Sequence, residues 1–295
     1  QTHNLLPIEV LNDLYPGLPQ VACFDTAFHR TQPDEARRFA VPRALHDQGV
    51  KRYGFHGLSY EFISRELART APDAASGRVI VAHLGSGASL CALNKGLSVD
   101  STMGYTAIDG LVMGTRCGNL DAGVVLDLIA RRGMSVADVE KMLYSRSGLL
   151  GMSGISNDMR DLIDSDRPEA SEAIAVFIRR ITKEIGGLTA ILGGIDALVF
   201  TAGIGERSAV IRDRVCCQAA WLGVELDDAA NQSADTGIRL ISTPSSRVSV
   251  WVVPTDEERM IALHTLAALG LSGTADQTST EPSLDGLEAK ELLHA

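Results

Sequence analysis

Residues 79–93 read Val-Ile-Val-Ala-His-Leu-Gly-Ser-Gly-Ala-Ser-Leu-Cys-Ala-Leu. An apolar run breaks at Gly85 and Gly87 and resumes at once, which predicts strands over Val79–Leu84 and Ser89–Leu93 joined by a tight turn. Glycines let a backbone approach an anion closely, and the Ser86 and Ser89 hydroxyls are donors of the kind phosphate oxygens need. His83 at the strand end faces the same place. A plain hairpin would read identically, so the phosphate interpretation needs partner motifs. Residues 197–207, Ala-Leu-Val-Phe-Thr-Ala-Gly-Ile-Gly-Glu-Arg, supply one: again a strand, a Gly-x-Gly turn (Gly203, Ile204, Gly205) and a helix start. A helix N-terminus offers free N–H groups to a nucleotide. The spaced dinucleotide fingerprint is absent, because Arg207 and Ser208 follow where its third glycine belongs.

Further strands are expected at Val21–Phe24 and Val248–Val253. Helices are expected at Pro33–His46, Tyr60–Thr70, Val136–Tyr144, Glu169–Leu192, Ala209–Ala220 and Asp256–Leu269. Pro168 marks the start of the longest and Gly193-Gly194 its stop. Strands alternating with helices read as α/β with a sheet at least partly parallel. The 295 residues suit about two domains or one large one. A net charge of −10 argues against nucleic acid or an anionic membrane as partner. No run of 18 apolar residues exists, since Ile185–Phe200 is interrupted by four glycines and Asp196. Five cysteines without CxxC spacing read as reduced thiols, and the expected location is cytoplasmic. The Ser/Thr/Asp/Glu-rich stretch from Ser272 to Leu292 reads as a disordered tail.

Other constellations carry chemistry. Residues 104–121 hold four glycines within fifteen residues and one arginine, Arg116, which reads as a wrapping loop presenting a guanidinium to a carboxylate or phosphate. The alternative is a surface pair with Asp121. His56 sits between glycines before a helix, Asp25 at the end of an expected strand, and Glu257 and Glu258 at a helix start after another. Acids at a helix start are often only dipole partners.

Taken together the motifs resemble the acetate kinase family, of the acetate and sugar kinase/Hsp70/actin superfamily. The matching segments run in family order: His3-Asn4, Phe24–His29, Arg52–Gly57, His83–Ala88, Val99–Gly104, Gly110–Arg116, Ser147–Gly151, Ser156–Arg160, Phe200–Glu206 and Pro254–Glu258. The resemblance implies a two-domain α/β fold of the ribonuclease-H-like, actin-like ATPase kind, with the first domain incomplete. The expected division is 1–54, 55–270 and a tail at 271–295. It implies ATP-dependent, reversible phosphorylation of acetate to acetyl phosphate and ADP, with Mg²⁺ or Mn²⁺, by a homodimer. Propionate kinase is the nearest alternative, and a non-catalytic nucleotide-binding module the next. On the matching positions, Asp25, His56, His83 and Arg116 would be catalytic. His83, Gly85, Ser86, Gly87, Asp158, Met159, Arg160, Gly203, Ile204 and Gly205 would bind nucleotide. His3, Phe55, Ala107 and Arg116 would line the substrate pocket, and Glu257 with Asp25 would position the metal.

The chain also departs from the pattern. Ser86 replaces a usual Asn, Thr2 and Ala107 replace a Leu and a Pro of the acyl pocket, and Asp256 replaces an Asn. The chain opens on Gln1, and family members begin roughly a hundred residues earlier with a phosphate-facing loop and a second substrate arginine. The expectation is a C-terminal two-thirds fragment, inactive by itself.

Overall fold

The computed structural model describes residues 2–271, with side chains from residue 5 onward. Its centre is a six-stranded sheet ordered β3-β2-β1-β4-β6-β5, where β1 is Arg78–Leu84, β2 Ala88–Asn94, β3 Leu97–Ser101, β4 Ala197–Thr201, β5 Arg239–Leu240 and β6 Ser249–Val252. Strands β1, β4 and β6 run parallel, and β2, β3 and β5 pair antiparallel at the two sides. Strand β1 is buried almost throughout, as a strand covered on both faces must be. Alternation then sorts its side chains. Ile80, Ala82 and Leu84 join the cluster built on helix Pro168–Leu192, whose Ala170, Ala173, Ile174, Phe177, Ile178, Ile181, Ile185 and Leu188 recur every three or four residues. His83 stands on the opposite face, where helix Gly57–Thr70 buries Tyr60, Ile63 and Leu67.

The long helix starts with Pro168 in its first turn. It ends at Gly193, whose left-handed φ of 69° lets Gly193 and Gly194 donate back to Ala190 and Thr189. The described chain divides into Ala22–Ile261, which contains the sheet, and a smaller unit of residues 2–21 and 262–271. In the smaller unit Thr2–Leu14 is helical with Pro7 inside it, and the Gln20 amide donates to the Ile8 carbonyl at 3.3 Å. The tail read as disordered lies outside the described residues.

Several expectations fail locally. Val21–Phe24 is no strand: no neighbouring strand offers it a ladder among the described residues, and Phe24 is exposed. Pro33–His46 breaks into helices Asp34–Arg37 and Arg43–Asp47, because Pro42 cannot continue a helix. Strand β4 ends at Thr201, and Ala202–Arg207 is already helical, so Gly203 and Gly205 lie within a helical turn. Strands β3 and β5 and helices Ala122–Ala130, Gly148–Ser153 and Met159–Ile163 were not anticipated.

One buried cation braces the segment that follows β4. Arg212 is 1% exposed and donates to the carbonyls of Gly205 (2.9 Å), Glu206 (2.8 Å) and Asn231 (2.7 Å) and to Asn231 Oδ1 (2.7 Å). Burial pushes its pKa down to about 10. The guanidinium thereby satisfies carbonyls that the short helix Ala202–Arg207 leaves free. Replacing it by Met strands the Gly205 and Asn231 acceptors, each worth about 1–3 kcal/mol, while the Glu206 carbonyl keeps Arg239 Nη2 at 3.2 Å. Urea unfolding of Arg212→Met should show a loss of several times that scale, and a loss below about 1 kcal/mol would mean the bracing is dispensable.

Candidate active site at the carboxyl ends of the parallel strands

The carboxyl ends of β1, β4 and β6 release three of the segments that carry predicted residues, those of Gly85–Gly87, Gly203–Gly205 and Glu257, as expected for ligand sites in open α/β sheets. Parallel pairing sets His83 opposite Thr201, so the two glycine segments emerge side by side. A Cβ built on Gly85 would stand 3.4 Å from Ala202 Cβ and 3.9 Å from Gly203 N. Ala202 holds φ at 63°, a left-handed conformation uncommon outside glycine. The β1–β2 turn closes with Gly85 N–H donating to the Gly87 carbonyl at 2.9 Å.

The loop of Arg116 packs against that turn. Gly114 N–H donates to the Ser86 carbonyl at 3.1 Å, and a Cβ on Gly114 would press on the Asn157 carbonyl at 3.2 Å. Asp158, the next residue, therefore starts its helix close to the turn. It caps Met159–Ile163, and Arg160 both donates to it and holds its carboxyl down to about 2, while Met159 is buried. Arg116 is half-buried and donates from Nη1 to the Ala107 carbonyl at 2.7 Å. It makes no pair with Asp121, which caps helix Ala122–Ala130 instead. A Cβ on Gly87 would lie 2.7 Å from Arg116 Nη2 and 3.0 Å from His56 Nε2, so only glycine lets the arginine, the histidine and the turn converge.

His56 and His83 stack with centroids 4.0 Å apart and planes 15° from parallel. His56 occupies the N-cap of helix Gly57–Thr70 at φ 57°, held there by Asp25. The Asp25 carboxylate accepts from His56 N at 2.6 Å and Leu58 N at 3.3 Å, and its carbonyl accepts from Gly57 N at 2.9 Å. Asp25 thus has a capping role even though no strand delivers it. Burial keeps both imidazoles neutral. His56 is lowered to about 4, with Arg116 and His29 adding to the effect, and His83 lies well below the usual value for burial and for its neighbour His56. Glu257 is half-buried, and burial together with the charge of Asp25 raises its carboxyl. Asp256 is exposed and accepts from Arg259 N at 2.9 Å, so its extra charge is spent on capping that helix. Phe55 and Ala107 are part-buried against the core. The His3 and Thr2 side chains lie outside the described residues.

Sequence reasoning missed the layer behind the histidines. The Ser89 hydroxyl, expected to face phosphate, is fully buried between His56 Nδ1 (2.8 Å) and the Tyr60 hydroxyl. Ser59 bonds to His83 Nδ1 at 2.9 Å and accepts from Thr255 Oγ1 at 2.9 Å, while Thr255 N donates to Glu206 at 3.2 Å. Residue alternation places Ser89 on the His83 face of the sheet, the one available signal.

A six-stranded sheet ordered β3-β2-β1-β4-β6-β5, with antiparallel β2 and β3 beside a parallel centre, has the ribonuclease-H-like, actin-like ATPase arrangement. The acetokinase family model matches residues 1–263, and the chain belongs to that family. It is 58% identical over 265 residues to the acetate kinase of Rhodopseudomonas palustris strain CGA009, covering 90% of this chain and 66% of that protein. The acetate kinase of Methylocella silvestris is 54% identical over 279 residues, covering 90% and 68%. Among solved structures, Porphyromonas gingivalis acetate kinase superposes with a TM-score of 0.84 at 38% identity, covering 90% and 68%. A propionate kinase from Francisella tularensis does so at 0.81 and 39%, covering 87% and 66%. The chain therefore spans about two thirds of the length of its relatives.

The neutral histidines have a thermodynamic signature. Between about pH 6.5 and pH 4 the unfolded chain takes up protons at these positions and the folded chain does not, so stability falls with pH across that window. The His56 share alone is about 3 kcal/mol at 1.36 kcal/mol per unit. Denaturant unfolding at intervals from pH 7.5 to pH 4.5 should show a shallower slope for His56→Gln than for the parent. Equal slopes would mean His56 titrates freely in the fold.

Proposed function

We propose that the protein carrying this chain transfers the γ-phosphoryl group of ATP to acetate, reversibly, giving acetyl phosphate and ADP. The observation that carries this reading is the convergence of Arg116 Nη2 and His56 Nε2 on Gly87, beside the two glycine segments. Phosphoryl transfer asks the protein mainly for positioning and charge neutralisation, since the transferring group is already electrophilic. Arg116 stays cationic at neutral pH and has the planar fork that grips a carboxylate, then the developing charge on the phosphoryl oxygens. His56 and His83, neutral in the free site, are ready donors to those oxygens and gain charge if the anion raises their pKa. The Gly85-Ser86-Gly87 turn and Gly203-Ile204-Gly205 cradle the phosphates, with Asp158, Met159 and Arg160 toward the adenosine. Phe55 and Ala107 wall the acyl pocket.

Glu257 and Asp25 fit a magnesium or manganese ion. They are hard oxygen donors in one another's field, and no group of three or more acid, histidine or cysteine side chains is placed to hold a metal among the described residues. Such a pair suits an ion that takes its other ligands from phosphate and water. When bound, the ion would draw charge from the phosphate oxygens. The division at 1–54, 55–270 and 271–295 is part of this reading, as are a cytoplasmic location and a homodimer. Five free cysteines support the location; no described helix is long and apolar enough to cross a membrane. Exposed Val124, Leu126 and Val136 are apolar surface that a second copy would cover. The net charge of −10 supports the absence of nucleic-acid and membrane partners.

Hydroxamate trapping of acyl phosphate tests the reading, run on the 295-residue chain beside one extended at its N-terminus to the relatives' length. The extended protein should turn over acetate and the 295-residue chain should not, because groups acting as a unit lose most of the rate together. ATP binding by the extended protein without acyl phosphate would favour the non-catalytic alternative. In the extended protein Arg116→Ala should cost roughly 10²–10³ in rate, with partial rescue by Lys. Near-normal turnover would remove Arg116 from the chemistry. Glu257→Gln should raise the Mg²⁺ requirement while Glu258→Gln does little, since Glu258 is exposed. Equal effects would make both acids helix caps. Ala107 in place of a proline leaves room for about one methylene, worth roughly 0.8 kcal/mol. Propionate should therefore compete with acetate within about 10–200-fold in kcat/KM, and a stricter acetate preference would show the space refilled.

A further inference from the structure

The described histidines of the sheet region divide by how their ring nitrogens are used. His29 spends both, Nδ1 on Ser98 Oγ at 2.9 Å and Nε2 on the Phe55 carbonyl at 3.0 Å, and so is fully engaged in holding the fold. His56 and His83 bond through Nδ1 only, each to a fully buried serine hydroxyl, and each serine meets a second hydroxyl behind it. No bond from Nε2 of either ring is made among the described residues.

We propose that Tyr60 and Ser89 are positioning residues that lock His56 with its proton on Nε2, and that Thr255 and Ser59 do the same for His83. Proton counting carries the argument. Tyr60 is fully buried, and Ser89 Oγ is the acceptor its O–H reaches. A phenol has one proton, so it goes to Ser89, and the single Ser89 proton goes to His56 Nδ1. A ring nitrogen that accepts is bare, and in a neutral imidazole the other nitrogen then carries the hydrogen. The reverse orientation would leave the Tyr60 proton buried with no acceptor, at a cost no native core bears lightly. On the other ring Thr255 Oγ1 donates to Ser59 Oγ, which leaves the Ser59 proton for His83 Nδ1.

The two relays come from different elements. Ser59 and Tyr60 are neighbours on helix Gly57–Thr70, Ser89 lies on β2, and Thr255 follows β6 and is tied by its N–H to Glu206 beside the glycine segment. The stacked pair is thus presented as two N–H donors whose orientation is fixed before any ligand arrives. Neither Nε2 keeps an in-plane lone pair, so Nε2 of neither ring is a nucleophile in the free protein, and each Nδ1 lone pair is taken by a serine O–H. The inference rests on the proposed phosphoryl transfer for its chemical purpose, but the tautomers themselves are a property of the ligand-free fold.

Long-range ¹H–¹⁵N correlation of the imidazole rings in the 295-residue chain at about pH 7 reads them directly, because protonated and bare nitrogens resonate far apart. His56 and His83 should each show a protonated Nε2 and a bare Nδ1, assigned by losing one set in His56→Gln and in His83→Gln. Tyr60→Phe should release His56 into a mixture of tautomers and leave His83 unchanged, and Thr255→Val should do the converse. In the extended protein each variant should lower kcat about tenfold or more, with KM for ATP unchanged. Protonated Nδ1 on both rings of the parent chain would overturn the proposal even if every variant failed to fold. So would a Tyr60→Phe spectrum identical to the parent's. The spectra need no substrate: failed turnover with the predicted tautomers would sink the kinase reading and leave this one standing.

Discussion

The parallel ladder between β1 and β4 is the constraint on which the rest of the site depends. It sets Val79 to His83 against Ala197 to Thr201 in register, and so brings the Gly85 turn and the Ala202–Arg207 segment to one sheet edge although 118 residues separate their glycines, Gly85 and Gly203. A slip of one residue would turn His83 into the core under helix Pro168–Leu192 and Ile80 out of it. That slip is expensive because it would drive the His83 ring into the apolar cluster that Ile80, Ala82 and Leu84 fill, all three fully buried. Core packing and site geometry are therefore the same specification.

Around that edge the protein places its charges sparingly. Arg116 stands next to two imidazoles that burial keeps uncharged, and the acids Asp25 and Glu257 come from elsewhere in the chain. The Asp25 carboxylate serves the helix N-terminus and holds His56 in a strained left-handed conformation, a cost of order 1–3 kcal/mol that the surrounding contacts must exceed. Strain of this kind is common where a side chain must be aimed. Here it aims the ring at the Gly87 turn, where any side chain larger than hydrogen would collide.

Much of this was legible in the sequence. The strand–glycine–strand pattern at 79–93 and the strand at 197–201 have periods and breaks that only one kind of local structure satisfies. Helix Pro168–Leu192 announces both ends through Pro168 and Gly193. The site's first layer followed from motif resemblance, since Arg116, His56 and His83 have no proximity in sequence to betray their convergence. What stayed hidden depends on long-range packing. Val21–Phe24 has strand composition without a partner, and Pro42 splits a helix that periodicity favoured. Ser59, Tyr60, Ser89, Thr255 and Arg212 look like ordinary helix, strand and loop residues until the fold sets them against a ring nitrogen or a carbonyl.

In the proposed transfer, positioning and charge, with no covalent help from the histidines, move the phosphoryl group straight from ATP to the carboxylate. The stereochemical course at phosphorus tests this most directly, using ATP made chiral at its γ-phosphorus with oxygen isotopes or sulfur. One in-line displacement inverts the configuration, and that is the predicted result for the extended protein acting on acetate. Retention would require two displacements through a phosphorylated side chain, and His56 or His83 as that carrier would contradict the account.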